Sequence, residues 1–166
     1  CDLYPTLLEL AGVSLDRQPP LDGVSLTGLI DGAMTSRPRP MGFWQHAEGG
    51  ISMNSENWMR ELQQAQRSGD MLGDMSRLRL DAGAIDKQYP ENSFPGHAAW
   101  LDWPWKLHRI QDENGTARFE LYNLESDPRE SADCLKKETG RTLKMRTELE
   151  AWLGSVVRSL NGKDYV

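Results

Sequence analysis

Lys106 and His108 offer two cationic or hydrogen-bonding groups at a spacing of two, in the stretch WKLHRI (residues 105–110). In a strand, residues two apart share a face. Trp105, Leu107 and Arg109 therefore point one way, and Lys106 and His108 the other. One face can be buried while the other shows a cation and an imidazole to solvent or to a ligand. The other chemistry-bearing residues are dispersed. His46 and His97 stand apart from His108, and an isolated histidine is more often a surface or hydrogen-bonded core residue than a ligand. Asp22, Asp31 and Asp81 lie next to or near glycines, where turn chemistry accounts for them. Cys1 and Cys134 have neither CxxC nor zinc-type spacing and read as two free thiols. A glycine-rich phosphate loop, HExxH, GxSxG and the EF-hand pattern are all missing from the sequence. These residues do not make a self-sufficient active site.

The elements that must carry Lys106 and His108 are legible around them. HAAWL and WKLHRI flank the turn Asp102-Trp103-Pro104, and RFELYNL follows the turn cluster DENG (112–115). Together they predict an antiparallel meander, with MGFWQH (41–46) as a fourth strand. Near the C-terminus, Met145, Leu149, Trp152, Leu153, Val156, Val157 and Leu160 recur at helical spacing up to a stop at Gly162. That stripe predicts a long amphipathic helix over one face of the sheet. At the other end, Asp2 as N-cap, Pro5 in the first turn and Gly12 as stop frame a short helix. Its stripe is Leu3, Leu7, Leu10 and Ala11. One or two helical turns in SLTGLIDG end at Gly32. This pair is too small to hold a core and should dock on something else. TSRPRP (35–40) reads as a linker. A further helix is expected after Ser55, with Trp58, Met59, Leu62 and Ala65 on one face. GGISMNS before it reads as a turn, and residues 69–96 as a long irregular stretch.

The chain of 166 residues carries a net charge of −6. That balance, without a basic stripe, argues against nucleic-acid binding. Apolar runs are too short to span a bilayer. The start at Cys1 reads as an internal or truncated one, so the absence of a leader carries little weight.

Three phrases in order carry a resemblance: DLYPTLLELAGV with PLDGVSLTGLIDG, then WKLHRI, then FELYNLESDPRE ahead of the closing helix. They resemble the C-terminal portion of the formylglycine-dependent sulfatases, of the alkaline-phosphatase-like superfamily. Residues 41–95 match only loosely. The resemblance implies an α+β chain in two parts. Residues 1–40 would be the helical remnant of a larger α/β domain. Residues 41–166 would be a small antiparallel four-stranded subdomain covered by the C-terminal helix, with an excursion at about 54–95. It also implies that Lys106 binds the sulfate of a sulfated small molecule or glycan. His108 on the same face, and His97 where the excursion re-enters the sheet, become candidate substrate contacts. Trp100, Trp103 and Trp105 could stack on a sugar ring, although core and turn packing is the preferred reading. In LYNLESDPRE, Asp127-Pro128 should build a turn and Glu130 favour the start of the next helix. Asn123 stands where the family often has aspartate.

The family's nucleophile is a formylglycine made in a C-x-P-S-R motif, and neither Cys1 nor Cys134 has that context. The acidic calcium ligands are likewise not matched. The expectation is therefore a sulfuric ester hydrolase as the full-length protein, with calcium and formylglycine supplied upstream, and no activity from this chain alone. No metal site is assigned within it. Two other readings stay open: a phosphatase or phosphodiesterase of the same superfamily, or a non-catalytic module that binds a glycan or partner chain. The leucines of the first helix could pair copies of the chain. Family resemblance points to a periplasmic or secreted setting.

Overall fold

The computed structural model describes residues 1–14, 18, 20–46, 55–69 and 88–165. The turn expected at 49–54, Asp81 and most of the irregular stretch expected at 69–96 lie outside the described residues. So do the side chains of His46, Ser55 and Trp58. The architecture is α+β. Helices α1 (Leu3–Leu10) and α2 (Thr27–Ile30) come first, then strand β1 (Met41–His46) and helix α3 (Ser55–Ser68). Strands β2 (Gly96–Asp102), β3 (Trp105–Gln111) and β4 (Ala117–Asn123) follow, then helix α4 (Thr139–Leu160) and a short 3-10 turn (Lys163–Tyr165). The strands form one four-stranded antiparallel sheet in the order β1-β2-β3-β4. Both tight turns fall where the turn residues predicted them, with Asp102 paired to Trp105 and Gln111 to Ala117.

Alternation sorts the sheet into two faces. Ala98, Trp100, Leu107 and Leu121 form one buried cluster with Met145, Leu149 and Leu153 of α4. The four fully buried residues of α4, Met145, Leu149, Leu153 and Val157, are each four apart, so one stripe lies along the sheet. Burying each such side chain stabilises the fold by about 1.5–3 kcal/mol. Leu160, expected on the same stripe, is 39% exposed in the last turn. Trp152 from α4 packs on Trp100 with ring centroids 5.9 Å apart. It can do so because β1 carries Gly42 beneath it: a Cβ there would stand 2.5 Å from the Trp152 ring. Past the helix, Asn161 accepts from the Tyr89 amide at 2.7 Å and donates to the Tyr89 carbonyl at 2.9 Å. That clamp fastens the segment entering β2 to the end of α4.

The N-terminal unit holds together by a different device from the one expected. Asp2 precedes α1 but does not cap it with its side chain. Its φ of −75° and ψ of −22° are already helical, so the carboxylate swings away from the first-turn amides. It accepts instead from Arg37 through Nε (3.0 Å) and Nη2 (2.9 Å), and from the Val24 amide (2.9 Å). The hydrogen bond from Arg37 is the main reason its pKa falls to about 2. Arg37 also donates to the carbonyls of Asp22 and Pro40, which ties the stretch before β1 back to α1. Gly12, Gly32 and Gly162 all take the positive φ that their role as helix stops requires. Leu3, Leu7, Leu10, Leu29 and Ile30 remain 54–75% exposed.

Candidate functional site

Lys106 and His108 lie on the sheet face opposite α4, as alternation predicted, while Leu107 between them is fully buried. Both reach one carboxylate. Lys106 Nζ donates to Glu130 Oε1 at 2.6 Å, and His108 Nε2 lies 2.8 Å from Glu130 Oε2. All three side chains are 22–28% exposed. The group is thus held in place yet reachable from solvent. Burial pushes the Glu130 carboxyl up, but the hydrogen bond from Lys106 and the positive charges of His108 and Lys106 outweigh it. The result lies below the ordinary carboxylate value.

Glu130 does not start the next helix, which begins nine residues later at Thr139. Its φ of 54° is the single positive value among the described non-glycine residues, a conformation that costs about 1–2 kcal/mol for an L side chain. The surrounding segment fixes it there. Asp127 builds the predicted turn, accepting from the Ser131 and Ala132 amides at 2.7 and 2.9 Å. On the other side, the Cys134 amide donates to the Leu121 carbonyl, and Asp133 Oδ1 accepts from the Leu121 amide at 3.0 Å. The segment is thereby pinned along the free edge of β4, with Glu130 carried over the open face. Sequence spacing offered no signal for this, because 24 positions separate Glu130 from Lys106.

His108 is braced from β4 as well. The Tyr122 ring meets it edge-on at 5.8 Å, and the Tyr122 hydroxyl donates to Glu120 at 2.9 Å. Burial and that carboxylate together push the phenol up to about 12. Arg118 completes the row with an ion pair to Glu120. His97 is exposed on the same face, on β2. Its Nδ1 accepts from the Gln111 amide at 3.1 Å, so it stands outside the Glu130 cluster. It lines a shallow groove of about 380 Å³ that His108, Phe43, Gln45 and Ala99 also border.

Trp100 and Trp105 take packing roles. Trp100 is buried and donates to Glu148 at 3.1 Å, and Trp105 lies under the Arg141 guanidinium at 4.5 Å. Trp103, at the turn, is 62% exposed. Cys1 and Cys134 are both free. Among the described residues, no three histidine, cysteine or acidic side chains cluster in a way that could hold a metal ion. No described helix is long and apolar enough to cross a membrane. The sequence matches no protein-family model, and no curated protein matches it significantly.

Proposed function

We propose that this chain is the C-terminal portion of a sulfatase, in which Lys106 holds an oxygen of the sulfate ester. The observation that carries the reading is the position of the Lys106 ammonium. It stands on the sheet face that α4 leaves open, partly exposed and oriented by a fixed carboxylate. An ammonium has three donors. Glu130 takes one, and two remain for an anion. Such a point charge would neutralise a sulfate oxygen and favour the negative charge that develops on the leaving oxygen. His108, whose Nε2 is engaged by Glu130, would have its other ring nitrogen for the substrate, and His97 would meet the organic part of the ester. Nucleophile and calcium would come from sequence outside this chain, and residues 1–40 would complete a larger α/β domain.

The test uses the longer protein that carries a C-x-P-S-R segment. Replacing Lys106 by alanine should lower kcat/KM for a sulfate ester by roughly 10²–10³, the usual cost of losing one transition-state charge contact. Sulfate and phosphate esters of one alcohol, assayed side by side, separate this reading from a phosphatase. Unchanged sulfatase activity in the alanine variant rejects the role of Lys106.

A further inference from the structure

Glu130 divides its two carboxylate oxygens between the polar heads of the open face. Oε1 takes the Lys106 ammonium at 2.6 Å, and Oε2 meets the His108 ring at 2.8 Å. A lysine carries its charge on a flexible four-carbon stem. Glu130 is the one polar partner of Lys106 Nζ among the described residues, so without it the ammonium could sweep the face. The carboxylate itself is anchored. Its residue sits in the left-handed region at φ 54°, and its own amide donates to the Asp127 carbonyl at 3.1 Å. The next amide, of Ser131, donates to the Asp127 carboxylate at 2.7 Å. A fixed acceptor thus aims a mobile donor.

The same contact decides where the His108 proton lies. The Glu130 carboxyl is held below its ordinary value, so at neutral pH it is ionised and can only accept. His108 Nε2 is therefore the nitrogen that carries the proton, and in the neutral ring Nδ1 keeps a lone pair. Nδ1 has no hydrogen-bond partner among the described residues. No unpartnered side-chain nitrogen or oxygen among them is buried, so Nδ1 opens to solvent. The edge of Tyr122 steadies the ring. We infer that Glu130 is the positioning residue of this face: it aims the Lys106 ammonium and fixes His108 with its donor inward and its acceptor outward. The inference rests on the proposed function for the ester that these groups meet, and on the geometry of this chain for the tautomer.

Two variants of Glu130 test the two halves. Glu130→Gln keeps the shape but exchanges one oxygen for an amide NH2. The remaining oxygen stays with the charged Lys106, the stronger donor, and the NH2 then faces His108 Nε2. That nitrogen must become an acceptor, which sends the ring proton to Nδ1. Nitrogen-15 shifts of the His108 ring in the isotope-labelled chain, read at the alkaline end of its titration, should show Nε2–H in the unaltered protein and Nδ1–H in the variant. Glu130→Ala removes the acceptor altogether. In the longer protein it should lower kcat/KM for a sulfate ester by roughly tenfold to a hundredfold, the cost of a group misplaced by about 1 Å. With Lys106 already alanine, the same change should cost about twofold at most, because no ammonium remains to be aimed. A merely structural role would cost the same in both backgrounds. An unmoved tautomer in Glu130→Gln, unchanged kcat/KM in Glu130→Ala, or an equal loss with and without Lys106 overturns the inference. If Lys106→Ala lowers activity and Glu130→Ala does not, the proposed function stands and the positioning role falls. If Lys106→Ala costs nothing, the proposed function falls and takes this role with it.

Discussion

At the scale of single residues, the open face is organised by one carboxylate that serves two strand positions. Glu130 offsets its own backbone strain by accepting from Lys106 and His108 together. A partly exposed pair of this kind contributes about 0.5–1.5 kcal/mol. Glu130→Gln should therefore destabilise the chain by about 1 kcal/mol at pH 7. The sign of the pH effect follows from the depressed carboxyl. Its contribution is fully present above the unfolded value, 4.5, and is lost as pH falls through the lower folded value. Urea unfolding of the two proteins should accordingly differ at pH 7 and converge as the pH is taken below 4.5. A difference that stays constant across that range would separate the effect from the carboxylate charge.

At the scale of elements, the contact between α4 and the sheet depends on an absent side chain. Trp152 lies where any Cβ on residue 42 would have to be. Gly42→Val must displace the Trp152 ring, and overpacking of this sort costs about 1–3 kcal/mol. Chemical denaturation should show that loss. Near-ultraviolet circular dichroism should report an altered Trp100–Trp152 environment, because the two rings are in contact. Gly42 reads in the sequence as an ordinary glycine in a strand. Only the approach of a residue 110 positions away gives it a role.

At the scale of the whole molecule, the sheet and α4 share one core, whereas α1 and α2 keep their leucines outside it. Exposed apolar faces of this kind mark surfaces that another body covers. Under the proposed function, that body is the rest of the α/β domain; a second copy of the chain is the other candidate. The chain as it stands should bind a hydrophobic dye. Leu7→Lys combined with Leu10→Lys should cut dye fluorescence several-fold with stability changed by no more than about 0.5 kcal/mol per site. If the same face pairs two copies, sedimentation of that variant should show the monomer.

The sequence by itself determined what depends on local period. The meander, the long helix and its buried stripe, the glycine stops, and the shared face of Lys106 and His108 all follow from spacings of two and of three to four. The Asp127-Pro128 turn was equally local. Tertiary structure alone decided which groups those side chains meet. Asp2 reads as a helix cap and is instead the anchor of Arg37. Glu130 reads as a helix starter and is the counter-ion of the open face. Phe43, Ala99 and His108 align only once β1 has paired with β2 across the intervening 49 positions. Side-chain direction is set by the backbone within a few residues. Partner choice is set by the register and loop path that minimise the free energy of the whole fold, and no spacing along one chain encodes it.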